Sequence, residues 1–444
     1  MRYTFSILIF LIFPSLIKAQ IGDSIIARLQ SINHTITNQS CDSDEAAAIS
    51  NRAMNIFLSD KTGYLNLKSD LSFFTNYVTF NTSESRLTVN HNFQKATGAD
   101  DPIRNLFSIG LSITIPNNYA LGFLNNRNET GLGIIGGYKW LGKVKTRFTD
   151  CAVKQNKASQ KQAMDALRAG ILNAVATEIY TKEADFKTSL NEIIAENVQG
   201  FSSDSAKAII EQNFYEELNE SSEEKFATLQ AETLTETMNF KLISTHWTAI
   251  QCYVPVVFSK YNVAPSLSEA FQQEKSYPFE LTLNHTRLWE SSRIGRLFAT
   301  IGGSIFLNNS KLSYSLDKIN YADNKIMGGA DTQHDEALKN DKAYLGDYEN
   351  FITPSLHYRM VYFPVEYHLG ISILVQQNFG IYNFLNTRIG IPVILINSKK
   401  TPAVNFEFYV SLTDLTNNAG PSNTLVYKSM AGLSVGIPLS RLMY

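Results

Sequence analysis

The chain has 444 residues, 11% of them aromatic, and a net charge of −2, which excludes the basic footprint of a nucleic-acid-binding protein. After the N-terminus no run reaches the roughly 18 apolar residues of a membrane-spanning helix. Cys41, Cys151 and Cys252 are too sparse for a disulfide scaffold, and no two lie at a metal-ligand spacing.

Residues 1–19 read as a signal peptide. Arg2 supplies the positive start, Phe5 to Ile17 the apolar segment, and Ala19 the small residue before a cleavage site at Gln20. Residues 20–60 form an N-terminal helical segment. Asp23 caps a helix carrying Ile25, Ile26, Leu29 and Ile32, and Ser43 caps a second carrying Ala46, Ile49, Ala53 and Ile56. Such a segment serves either as an arm or plug or as a plain packed extension.

Residues 71–148 read as four strands, at 71–80, 84–93, 106–116 and 131–148. In the third, Phe107, Ile109, Leu111, Ile113 and Ile115 face one way and Ser108, Gly110, Ser112 and Thr114 the other. Trp140 in the fourth suits a membrane interface. Between 152 and 245 the period changes to that of a helix. Leu167, Ile171, Ala174, Val175 and Ile179 form one stripe, and Leu190, Ile193, Ile194 and Val198 another. Ser221 with Glu224 fits a capping box ahead of Phe226, Leu229 and Leu234. This insert is either a bundle that buries its own stripes or a gate or docking domain.

Residues 246–444 return to strands, at 246–258, 278–289, 295–307, 351–363, 365–377, 381–396, 403–413 and 427–438. In the stretch 404–412, Val404, Phe406, Phe408, Val410 and Leu412 oppose Asn405, Glu407, Tyr409 and Ser411. Lipid outside and water inside explain both faces. A signal peptide, amphipathic strands of about ten residues and a terminal aromatic, Tyr444, together resemble bacterial outer-membrane β-barrels. The resemblance implies a mainly β fold, an antiparallel transmembrane β-barrel of about 12 strands with an α-helical insert. It also implies export to the outer membrane and lipid as a partner. The insert follows an even strand, so with a periplasmic N-terminus it lies in the periplasm, where a protein partner is available to it. A missed strand before residue 150 would reverse that side.

Arg296, Arg359, Glu366, His368, Arg388 and Glu407 fall on the inward face. Mixed charges there either line a narrow pore for small solutes or pair with one another in a filled lumen. Ser372 with His357, His368 and Glu366 would be the raw material of a hydrolase, but no motif supports it. Gly328, Gly329, Asp331, His334, Asp335 and Glu336 lie in an outer loop and read as solvated polar residues rather than a calcium site. No catalytic residue, cofactor or metal is assigned. The expectation is a non-enzymatic barrel, a pore or a scaffold for periplasmic partners. The alternative is a soluble secreted β-sandwich acting in binding or adhesion. On the barrel reading an arginine should be costly at Ile371 and tolerated at Ser372.

Overall fold

A computed structural model describes residues 21–37, 49–62, 75–82, 86–94, 103–114, 131–148, 157–195, 204–237, 240–257, 259–310, 316–322, 340–365, 368–381, 383–396, 402–416 and 429–441. The expected signal peptide, Ser43, Glu366 and the polar loop from Gly328 to Glu336 lie outside the described residues. The strands are β1 (Thr75–Asn81), β2 (Arg86–Gln94), β3 (Asn105–Thr114), β4 (Gly131–Leu141), β5 (Lys145–Phe148), β6 (Phe240–Pro255), β7 (Ser259–Ala264), β8 (Gln272–Ser276), β9 (Glu280–Ser291), β10 (Gly295–Asn309), β11 (Asp317–Ala322), β12 (Asn340–Leu345), β13 (Asn350–Phe363), β14 (Ile371–Asn378), β15 (Leu385–Ile396), β16 (Pro402–Leu412) and β17 (Ser429–Arg441).

Twelve of these strands close an antiparallel ring in the order β1-β2-β3-β4-β6-β9-β10-β13-β14-β15-β16-β17 and back to β1. The closing seam pairs Val78 with Ile437 and Phe80 with Val435. The helical insert leaves no gap, because β4 and β6 pair directly, with Gly136 opposite Cys252. Closure satisfies every strand's backbone through its two neighbours and removes both sheet edges.

Alternation sets the two faces. Ile301, Leu283, Ile389 and Phe408 point outward and are 64%, 54%, 53% and 56% exposed, while Asn405 and Glu407 point inward and are fully buried. This pattern inverts that of a water-soluble domain, and the closed ring excludes the sandwich alternative. Two tyrosines lie flat along the wall on glycines of the neighbouring strand. A Cβ at Gly432 would stand 2.5 Å from the Tyr409 hydroxyl, and one at Gly133 2.5 Å from Cζ of Tyr253. Any side chain there would displace the ring.

The strands depart from the sequence expectation at their ends. β14 begins at Ile371 rather than 365. The segment that precedes β14 keeps only the single bridge Leu369–Val393. The expected strand 131–148 splits after Leu141, and the short β5 pairs with the start of β6 beyond the ring. A second, smaller sheet, β11-β12-β7-β8, was not legible in the alternation. It joins the β6–β9 and β10–β13 connections through a parallel β12–β7 pair, over a cluster of Tyr261, Val263, Leu316 and Tyr344. It stands at the end of the barrel away from the insert.

The helices are α1 (Ile21–Thr37), α2 (Asn51–Thr62), α3 (Lys157–Ala195) and α4 (Asp204–Thr237). Ile25, Ile26 and Leu29 of α1 pack with Val175 and Ile179 of α3 and Leu218 and Phe226 of α4. Phe186 and Phe214 stack with centroids 3.8 Å apart. The N-terminal segment therefore supplies a third helix to the insert's bundle. Burial, with the Glu183 carboxylate beside it, pushes the Tyr215 hydroxyl up to about 12, so it stays a donor to Glu183 at 3.1 Å. Ser221 caps nothing. It lies inside α4 and donates to the Leu218 carbonyl at 3.2 Å, within a run of strong helix formers. Cys252 is a free thiol on the outer face of β6.

Ser372 is only 1% exposed and donates to Glu407, so the expected tolerance of arginine there is withdrawn. Gln376, inward and half-buried, is the better contrast. Ile389→Arg should cost about 2–4 kcal/mol near mid-bilayer, and Gln376→Arg much less. Urea titration of the lipid-reconstituted barrel, read by heat-modifiable gel mobility, checks the pair; equal losses would overturn the facing assignment.

Candidate functional site

The barrel mouth on the insert side is built around α2. Ser50 caps this helix, its hydroxyl accepting from the Ala53 N–H at 3.2 Å and its carbonyl from the Met54 N–H at 2.9 Å. The helix is buried over most of its surface, with the polar Arg52, Ser59 and Thr62 among its buried residues. Ala53, Met54, Ile56, Phe57 and Leu58 are buried, and they pack in one cluster with Trp247, Leu288, Phe298, Val361, Phe363 and Ile394. Those six are inward-facing residues near the insert-side ends of β6, β9, β10, β13 and β15. A short helix thus sits as a stopper in a greasy collar of the barrel. The collar interrupts the polar lumen wall where the stopper needs an apolar partner.

Charges fix the stopper at both ends. At its C-terminal end, Arg296 donates through Nε to Glu290 at 2.6 Å and through Nη1 to the Lys61 carbonyl at 3.0 Å. Lys61 Nζ lies 3.7 Å from Glu290. The Arg296 and Glu290 side chains are 11% and 10% exposed, so water screens the triad poorly. At its N-terminal end, Arg52 donates to Glu223 of α4 at 3.0 Å, and the Ser50 N–H donates to Gln230 of α4 at 2.9 Å. Glu223 also holds Arg28 of α1 at 3.0 Å. One carboxylate therefore ties stopper, insert and N-terminal helix together.

In the sector from β16 through β3 the wall is polar and closely bonded. Asn405 Nδ2 donates to the Tyr77 hydroxyl at 2.7 Å, and the Tyr409 hydroxyl donates to Asn81 at 2.7 Å. Ser108 donates to Asn92, and the Tyr77 N–H donates to Asn90 at 3.1 Å. Of these inner side chains, from β16 through β3, all but Asn81 are buried, so that sector of the lumen is filled at their level.

The residues expected inside separate into groups. Arg359, Arg388 and Glu407 point inward from β13, β15 and β16, all buried; Arg388 lies over the Tyr409 ring at 3.7 Å and Glu407 accepts from Ser372. Arg296 also points inward, but into the mouth, where it holds the stopper. His368 lies at the mouth, beside the wall strand β15 and within reach of the charges of Lys61 and Arg296. It is an exposed residue in the bend before β14, where its carbonyl accepts from the Ile394 N–H at 2.8 Å. The strand expected to carry it starts three residues later. His357 Nε2 meets Asn284 at 2.7 Å, so neither this histidine nor His368 is the partner of Ser372.

Glu290 and Lys61 were missed. Glu290 continues the inward series of Thr286 and Leu288 by one step past the expected strand end, so the alternation held the signal. Lys61 is one residue past the expected helical segment, and only the tertiary structure brings it to Glu290.

These features define a class, a closed antiparallel barrel of 12 strands with the inside-out polarity of bacterial outer-membrane barrels and a helix of its own seated in one mouth. No protein-family model and no curated protein matches the chain. Among solved structures it is similar to the beta domain of the Bordetella autotransporter BrkA, at 9% identity and a TM-score of 0.26 over 82% of this chain and 97% of that one, a likeness too slight to inform function.

Replacing Arg296 with Met leaves Glu290 buried beside Lys61 alone and should cost about 3–5 kcal/mol. Hydrogen exchange across residues 51–62 should accelerate while the strands stay protected; unchanged protection of α2 would show that the apolar collar alone holds it.

Proposed function

We propose that this protein is an outer-membrane anchor whose helical bundle is a docking scaffold on the periplasmic side, and that its barrel is stoppered rather than an open pore. The observation that carries this reading is the seating of α2 in the mouth, with its apolar side chains in the collar and Lys61 in the ion triad. A pore for small solutes would need that mouth free. The outer-membrane setting is supported by the apolar exterior, the closed ladder and the export-type features of residues 1–19.

The connections support this orientation. The insert, both ends of the barrel sequence and the tight Ser291–Gly295 turn share one end. The extended connections that carry the small sheet share the other. Short turns and termini on the periplasmic side and long loops outside is the usual arrangement in outer-membrane barrels. The reading assigns no catalysis, since the serine and histidine that a hydrolase would need have other partners.

Two measurements test it. In planar bilayers the intact protein should show no stable openings, and removal of residues 21–62 should produce them; a wild type that conducts steadily would favour the pore. In a background lacking Cys41, Cys151 and Cys252, Leu267→Cys should react with an impermeant maleimide on intact cells, and Asp185→Cys only after the outer membrane is permeabilised. The reverse pattern would put the bundle outside.

A further inference from the structure

Among the described residues, the outward face of the barrel carries one cluster of basic side chains. His246 on β6 and His285 and Arg287 on β9 are exposed on the side that elsewhere presents Ile250, Val254 and Leu283. The ladder pairs His246 with Arg287 and Thr248 with His285, so these four form a compact block across two strands. The imidazole centroids of His246 and His285 are 5.7 Å apart. Lys145, exposed and paired with Ser244 on the same side, extends the block toward the insert. Among the described residues, no carboxylate faces outward on β4, β6 or β9. Four groups able to carry positive charge therefore share a surface without an anion.

The block is held in shape. Thr248 Oγ1 meets His285 Nδ1 at 3.0 Å, leaving Nε2 as the other polar atom of that ring. The His246 ring lies against the backbone of Gly142, where a Cβ would collide with it. The Arg287 guanidinium lies 5.0 Å from the centre of the Trp289 ring. The block is also level with an aromatic row. Trp140 pairs with Thr248, and Tyr362, Leu297 and Trp289 follow one another across β13, β10 and β9. Amphipathic rings at a barrel's end mark the membrane–water interface, where lipid phosphates lie. Bringing like charges together there is unfavourable unless an anion joins them, and a guanidinium with flanking N–H donors matches a phosphate.

We propose that His246, His285, Arg287 and Lys145 form a binding site for the phosphate of an anionic phospholipid in the leaflet on the insert side. The lipid's acyl chains would run along the apolar face formed by Ile250, Val254 and Leu283. This proposal rests on the membrane reading of the barrel.

The full-length protein is inserted into nanodiscs of phosphatidylcholine with a minor share of phosphatidylglycerol. Lipids that remain bound after release into detergent are counted by native mass spectrometry. Phosphatidylglycerol should be retained well above its share, and His285→Gln with Arg287→Gln should reduce that excess by at least roughly fivefold, the effect of losing a single interfacial charge. Heat-modifiable mobility shows whether each variant has inserted, and the single Arg287→Gln is read alongside in case the double variant has not. Retention in proportion to membrane composition, or equal enrichment in wild type and Arg287→Gln, would overturn the site. Loss of the bound lipid to added inorganic phosphate at millimolar concentration would mean a site for free phosphate instead. Failure of the wild type to enter nanodiscs would count against the membrane reading and is distinguishable from all of these.

Discussion

Everything in this molecule depends on the closure of one backbone ladder. A strand in hydrocarbon has no water to satisfy its N–H and C=O groups, so each strand must have two neighbours and the first must meet the last. The β1–β17 seam does this at one point of the ring and β4–β6 at the other vulnerable point, where a long helical excursion leaves the sheet. Once the ring is shut, the period-two alternation has only one solution. Apolar side chains face out and polar ones face in, and each inward polar group must find a partner among the others. The tyrosine–asparagine and serine–asparagine bonds of β16, β1, β2 and β3 answer part of that demand.

The stopper is the exception to this polarity. Where α2 enters, the inner wall turns apolar with Leu288, Phe298, Val361 and Phe363, and the helix brings Phe57 and Ile56 to meet it. Apolar burial supplies the attraction without direction. The Arg296–Glu290–Lys61 triad supplies the register, because a buried charge tolerates few geometries. Glu223 then couples the stopper to the bundle by holding Arg52 and Arg28 together. Barrel, stopper and bundle are thus joined by a continuous set of contacts.

Much of the barrel was legible because its signal is local. Phe107 to Ile113 alternate with Ser108 to Ser112 whatever lies beyond them, and the same is true of residues 404–412. Strand ends were less legible. β14 starts at Ile371, which leaves His368 in the bend before it. The small outer sheet escaped notice because its strands are short and two of them pair in parallel across widely separated loops. Ser221 looked like a cap, but the residues on both sides of it favour helix, and the chain runs straight through. Of the inward residues, Arg388 and Glu407 were evident from parity, whereas the part Arg296 plays was not.

The sequence by itself determined the class of fold, the number of barrel strands and which face of each is greasy, since alternation and helical period are properties of neighbours along the chain. It also placed the insert on the side of the N-terminus, by parity. Only the tertiary structure decided that a helix stands in the mouth, that Lys61 meets Glu290 across more than two hundred residues, and that two histidines, an arginine and a lysine converge on the outer wall. Those are contacts between elements distant in sequence. Their partners are fixed by ring closure and register, which no single segment contains.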